Sequence, residues 1–222
     1  MSIYDDRATQ LLKSTLGELY FKRDVPLGDG RYSRAEHAWR LALERGADPS
    51  VLLAPDTPAF YMGAEDARLL ACFIDHGVVL NDQKPNKGAL RFTTHLLSRW
   101  RGQCLVNKTP ELIKRVDQNL IDVMKIVLTQ PVDLTRLPSG ELSFLHCLMW
   151  QSPSTDRGAW VMDELINLGA PLCEDTIGDA PYLLDKHPQM VGIVQRHHLR
   201  NVLNAELISE MESKPAPVAR KI

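Results

Sequence analysis

The sequence predicts an all-α protein built as a stacked array of helix pairs, and three observations carry that prediction. Helix-like apolar runs stop three times at the same kind of turn: Leu43-Glu44-Arg45-Gly46-Ala47-Asp48-Pro49, Phe73-Ile74-Asp75-His76-Gly77-Val78-Val79 and Leu165-Ile166-Asn167-Leu168-Gly169-Ala170-Pro171. In each, a Gly follows the last helical turn, where the chain needs a left-handed residue and Gly takes that conformation without a Cβ penalty. A new start then follows at a nearly fixed distance: Thr57-Pro58 stands eleven residues after Gly46, and Ala180-Pro181 eleven after Gly169. A weaker stop, Val127-Leu128-Thr129-Gln130-Pro131-Val132-Asp133, has Pro131 where the Gly would be, and Ser143 stands twelve residues after it. Self-similarity of this kind marks a repeat architecture.

These residues resemble the ankyrin repeat, whose unit of about 33 residues is a β-turn followed by two helices and carries a Thr-Pro-Leu-His-like helix start. Thr57-Pro58-Ala59-Phe60 keeps the Thr-Pro, Ser143-Phe144-Leu145-His146 the Leu-His, and Gly178-Asp179-Ala180-Pro181-Tyr182-Leu183 the Gly and Pro, while Thr93-Thr94-His95-Leu96 keeps a Thr and the His. The stops lie thirty-one, fifty-four and thirty-eight residues apart, so the match is to a degenerate array with insertions, covering roughly Ser33 to Leu184. It implies an ankyrin-like helical solenoid of about four irregular repeats over residues 33–188, with an insertion near 96–130. In the family a Thr hydroxyl and a His tie the turn to the helix starts, so His95 and His146 are expected to brace turns.

Element by element, residues 1–32 read as an N-terminal capping helix and loop. Ala8, Leu11, Leu12, Leu16 and Leu19 recur at helical spacing, and Pro26, Gly28 and Gly30 end the segment. Ser33-Arg34-Ala35-Glu36 has the form of a capping box, opening a helix that buries Ala38, Ala42 and Leu43 with Trp39 beside them. Glu65 to Asp75 is expected to turn Leu69, Leu70, Phe73 and Ile74 inward. Thr109-Pro110-Glu111 is a strong helix start, because Pro at the first helical position loses no needed hydrogen bond and Glu opposes the macrodipole. Leu112, Val116, Leu120, Val123, Met124, Val127 and Leu128 then keep one apolar stripe for about five turns at ~3.6 residues per turn. After Pro188, the run from Met190 to Ile208 predicts one C-terminal capping helix over 189–211, followed by a disordered tail over 212–222.

Composition excludes several function classes. The chain has 222 residues, 44% hydrophobic and 24% charged, with a net charge of −2, which provides no electrostatic footprint for nucleic acid. No apolar run approaches the ~18 residues of a membrane span, and no leader is evident at the N-terminus, so a cytoplasmic protein is expected. Cys72, Cys104, Cys147 and Cys173 have no paired short spacing and read as buried reduced thiols. The adjacent His197 and His198 point about 100° apart on a helix, a poor arrangement for one metal, and read as solvated or half-buried. Lys84-Pro85-Asn86-Lys87-Gly88 lacks the strand and Lys-Ser/Thr ending of a phosphate cradle, and Arg99-Trp100-Arg101 reads as an exposed helix segment. No enzyme motif, metal or cofactor is expected.

The expected function is therefore binding to one protein partner. The turn tips offered for contact are Asp48, Ser50, Asp56, Asn81, Gln83, Lys84, Asn86, Lys87, Arg136, Ser139, Glu174 and Asp175, and the inner-helix candidates are Tyr61, Arg91, Trp100 and Trp150. Trp, Tyr and Arg are the residue types that most often carry interface energy, and burial in the array core is the competing reading for each tryptophan. Similar short, irregular ankyrin-like proteins include bacterial immunity (antitoxin) proteins that occlude one toxin. The alternative is a secreted effector that seizes a host protein, and an enzyme with its site in the inserted region from Leu96 to Gln130 has the least support.

Overall fold

Three helix ends are closed by the same hydrogen-bond pattern, and the positions are those of the three glycine stops. In the computed structural model Gly46, Gly77 and Gly169 have φ of +87°, +88° and +101°. Each Gly amide donates three residues back, to the carbonyls of Leu43, Ile74 and Ile166 at 2.9, 2.9 and 3.0 Å. The next amide, of Ala47, Val78 or Ala170, donates five back, to Ala42, Phe73 or Leu165 at 3.0, 3.1 and 2.9 Å. This is the Schellman motif, and both members of each five-apart pair are buried, as its accompanying apolar contact requires. The fourth stop closes differently. Gln130 donates to the Val127 carbonyl at 3.0 Å, but Pro131 has no amide and its ring holds φ near −65°, so the left-handed closure is barred.

The structure describes the backbone of residues 3–21, 29–54, 57–80, 88–106, 109–136, 142–152 and 155–213, and within these the side chains of all but 21, 29–33, 88–91, 155–157 and 211–213. The described residues form ten α-helices and no strand. They are α1 (Asp6–Phe21), α2 (Asp29–Glu44), α3 (Pro58–Glu65), α4 (Ala67–Asp75), α5 (Gly88–Val106), α6 (Pro110–Val127), α7 (Phe144–Gln151), α8 (Thr155–Asn167), α9 (Glu174–Asp179) and α10 (Pro188–Ser213). Short 3-10 turns span Pro49–Leu53 and Ala180–Leu183.

Helix starts carry the caps their sequences supply. Thr57 Oγ1 accepts from the Phe60 amide at 3.3 Å and donates to the Ala54 carbonyl at 2.7 Å. Ser143 Oγ accepts from the His146 amide at 3.3 Å, and Asp66 Oδ1 accepts from the Arg68 and Leu69 amides at 2.9 and 3.3 Å. Each such cap satisfies a helix-start amide and stabilises by about 1 kcal/mol. Three expected starts are corrected. α2 begins at Asp29, so Ser33 lies inside the helix, and Glu36 pairs with Arg40 at 3.0 Å and Arg68 at 3.6 Å instead of closing a capping box. His95 stands in the middle of α5, and Ala180-Pro181 opens a 3-10 turn after α9 has already begun at Glu174.

Packing sorts the helices into two rows. α1, α3, α5, α7 and α9 each pack on the next in that order, and α4, α6, α8 and α10 do the same. Rungs between the rows pair α1 with α2, α3 with α4, α5 with α6, α7 with α8 and α9 with α10. The segment 96–130, expected as an insertion, supplies part of α5 and all of α6, which hold the third place in the first row and the second place in the other. Its extra length is taken up by longer helices, of 19 and 18 residues. The α6 stripe is buried from Leu120 to Val127, whereas Leu112, expected within it, is 43% exposed.

The ends differ. α1 buries Ala8, Leu12, Leu16 and Leu19, leaving Leu11 exposed, and its start is sewn to the first glycine turn: the Asp5 amide donates to the Gly46 carbonyl at 2.8 Å, and the Asp48 amide to Thr9 Oγ1 at 2.8 Å. α10 covers α8 with Met190, Val191, Ile193 and Val194, but Leu199, Val202, Leu203, Leu207 and Ile208, expected to belong to the same cap, are exposed. The expected loop at Pro26 and Gly28 and the tail beyond Ser213 lie outside the described residues; Gly30 lies in α2.

Forcing a β-branched residue into a left-handed conformation strains the backbone, so Gly46→Val and Gly169→Val are each predicted to destabilise the fold by on the order of 1–2 kcal/mol. Circular dichroism melts check this, and variants melting with the parent would refute the role of the turns. Deletion from Val191 onward uncovers the buried face of α8 and is predicted to cause aggregation; soluble, cooperatively melting protein would contradict it.

Candidate interaction surface

Residues four apart on a helix share a face. On α3 these are Tyr61 and Glu65, on α5 His95 and Arg99, and on α7 His146 and Trp150. The packing of α1, α3 and α5 brings the first two pairs together with Tyr20. The Tyr20 ring stacks on Tyr61 with centroids 5.3 Å apart and planes at 21°, and Tyr61 lies 4.6 Å from His95. One turn on, Glu65 and Arg99 form a 2.9 Å ion pair. Phe60 and Phe92 pack edge to face behind the rings, 5.7 Å apart, and both are buried. The result is a ladder across three consecutive helices, buried on one side by Phe60 and Phe92, in which Tyr20, Tyr61, Glu65, His95 and Arg99 are all half-buried. Rings that are apolar on the face and polar at the edge are suited to a protein surface that is dry at its centre and wet at its rim.

The structure places the sequence-selected residues unequally. Tyr61 is the middle rung of the ladder, and Trp150 is 49% exposed on α7. Ser50, Arg136 and Glu174 are exposed. Trp100 is a correction: it is 2% exposed, and its Nε1 donates to the buried Asp117 Oδ1 at 2.8 Å. Neighbouring helix residues point about 100° apart, so Arg99 reaches Glu65 and Arg101 reaches solvent while Trp100 between them turns inward. Asp48 is half-buried and takes the Ser50 amide at 2.9 Å. Asp56, Asn81, Gln83, Lys84, Asn86, Lys87 and Ser139 lie outside the described residues, as does the side chain of Arg91.

Asp175 belongs to a brace between α9 and the start of α7. Its carboxylate accepts from the Ser143 amide at 2.6 Å, the Ser143 hydroxyl at 2.9 Å and the Thr176 amide at 2.7 Å. Burial pushes the Asp175 carboxyl up, but those hydrogen bonds and the neighbouring His146 outweigh it and hold the carboxyl below its ordinary value. His146 is buried, and its Nε2 lies 2.8 Å from both Asp179 Oδ2 and Trp150 Nε1. One ring nitrogen holds at most one hydrogen, so donation to Asp179 and acceptance from Trp150 are alternatives. Ser, His and Asp gather here without the order of a nucleophilic triad, since the Ser143 hydroxyl donates to Asp175 and meets only the backbone amide of His146. With the hydrogen on Nε2, the imidazole of His146 joins α7 to α9.

The other polar groups singled out are structural. His197 is 3% exposed, against the expectation of a solvated or half-buried pair. Arg200 Nη2 meets its Nδ1 at 2.8 Å and must be the donor, so Nε2 carries the hydrogen and donates to Asp163 at 2.6 Å, tying α10 to α8. Burial raises the thiols of Cys72, Cys147 and Cys173, which keeps them protonated and poor as nucleophiles. A recess lined by Glu65, Arg99, Trp100, Gln103 and Asn119 beside apolar neighbours has a cavity volume of about 10 Å³, far below the 300–1,000 Å³ typical of small-molecule sites.

Sequence reasoning missed Tyr20, His95 as a surface ring, and the Glu65–Arg99 pair. The four-residue spacing was a signal for the pairs on α3 and α5, but Tyr20 carries none, because its partner is 41 residues away in the chain and only packing brings them together. A scan against protein-family models, a search of curated proteins and a search of solved structures each returned no match to the chain.

A carboxyl held low in the folded state binds its proton less readily there than in the unfolded chain. Its contribution to stability is complete above the ordinary Asp value of 3.8 and is lost as pH falls through the lower folded value. Asp175→Asn is therefore predicted to lower the melting temperature at pH 6 and to reduce the further loss between pH 5 and pH 2. Melts across that range check it, and parallel curves for variant and parent would contradict it.

Proposed function

We propose that the chain is a non-catalytic ankyrin-like module that binds and occludes one protein partner in the cytoplasm, using the face of α1, α3, α5 and α7. The observation that carries this reading is the half-buried ladder of Tyr20, Tyr61 and His95 running into the Glu65–Arg99 ion pair, which offers rigid aromatic area at its centre and charge at its edge. The ankyrin-like reading is supported by the two helix rows, the three Schellman closures after α2, α4 and α8, and the Thr57 and Ser143 caps. The size of the recess and the raised thiols favour a binding surface over an enzyme pocket. A toxin countered by this chain as its immunity protein is the first partner to test, and the gene beside that of the chain identifies it.

With the partner captured from the native cell, Tyr61→Ala is predicted to weaken binding by about 2 kcal/mol or more, because it removes the central ring of the ladder. The charge reversals Arg136→Glu, Lys84→Glu and Lys87→Glu are predicted to weaken binding most at low salt and least at high salt. Titration calorimetry reads both, alongside melts that confirm folding. Unchanged affinity for Tyr61→Ala would remove the ladder from the interface, and turnover of a substrate by the purified chain would replace the binding reading with an enzymatic one.

A further inference from the structure

α10 continues well past the body of the protein. His197 is its last buried residue, and every residue from Leu199 to Glu210 is exposed. Isolated helices shorter than about 12–15 residues are marginal in water, and most helical stability comes from packing an apolar face. This projection has such a face with nothing on it among the described residues: Leu199, Leu203 and Leu207 are spaced by four, with Val202 beside them, and the three leucines are 60%, 57% and 58% exposed.

The charges around that stripe indicate its occupant. Arg196 and Arg200 precede Leu203 by seven and three residues, and Glu206 and Glu210 follow it by three and seven. Leu199 and Leu207 stand four residues on either side of it. We propose that the projecting half of α10 pairs with the same segment of a second copy of this chain, antiparallel and crossing at Leu203. In that arrangement Leu203 meets its own counterpart, Leu199 lies level with the partner's Leu207, and the basic half of each helix runs beside the acidic half of the other. Parallel pairing sets basic beside basic and acidic beside acidic, and aligns the two helix dipoles unfavourably. Arg200 reaches back to His197, which is hydrogen-bonded to Asp163 of α8, so the projecting stripe begins from an anchored base. The proposed dimer face lies on α10, which packs on α8 and α9, whereas the aromatic ladder lies on α1, α3 and α5.

Sedimentation velocity of the full chain over a concentration series tests the pairing. The expected result is a monomer–dimer equilibrium that shifts towards dimer as salt is lowered. Leu203→Glu is expected to sediment as a monomer at every concentration while its melt stays cooperative. Arg196→Glu is expected to weaken the dimer, and adding Glu210→Arg to restore it. A parent chain that stays monomeric at all concentrations overturns the proposal and leaves the stripe to another protein. A Leu203→Glu variant that still dimerises places the interface elsewhere, and a double charge reversal that fails to restore the dimer overturns the antiparallel crossing.

Discussion

A left-handed Gly two residues past the end of α2, α4 and α8 is the constraint on which the rest of the fold depends. With Gly at that position the chain folds back so that Ala47, Val78 and Ala170 bond to, and lie against, the helix they have just left. The helices on either side of these closures pack in the two rows. Where the residue is Pro131, the closure is lost, and the connection to α7 is held by other means: the Gln130 side chain accepts from the Leu80 amide at 3.4 Å, and the Leu134 carbonyl from the Phe144 amide at 2.9 Å. Turns of the same chemistry give regular steps, and the one exception is tied to its neighbours by hydrogen bonds.

Buried polar groups join elements that the turns cannot reach. The Trp100–Asp117 bond links α5 to α6, His197–Asp163 links α10 to α8, and Ser143–Asp175 links the start of α7 to α9. A hydrogen bond to a charged partner is worth about 1.5–3 kcal/mol. Gly158 serves the same corner by its lack of a side chain: a Cβ there would overlap Ser152 Oγ and come within 2.8 Å of Met190 Sδ, so Gly lets α8 pack closely against both.

The ladder follows from this scaffolding. Stacked rings need centroid separations of about 4.5–7 Å, which side chains on separate helices meet only if the row spacing is regular. Tyr20, Tyr61 and His95 meet it, and the Glu65–Arg99 pair extends the line by one turn.

The sequence by itself determined the helical class, the three glycine stops, the starts at Thr57, Thr109 and Ser143 and the buried stripe of α6, because each depends on a conformational preference or a periodicity that one residue or one helix carries alone. Helix starts at weaker signals, such as Ser33 and Ala180-Pro181, were displaced because tertiary packing outweighs a local cap worth about 1 kcal/mol. The tertiary structure alone decided that Trp100 turns inward to Asp117, that His197 is buried on Asp163, and that Tyr20 and His95 flank Tyr61. It also decided where the cover supplied by α10 ends: the apolar spacing continues past His197, but α8 does not extend far enough to meet it. Such outcomes depend on which helix lies opposite, and residues distant in the chain become neighbours only when the rows have formed.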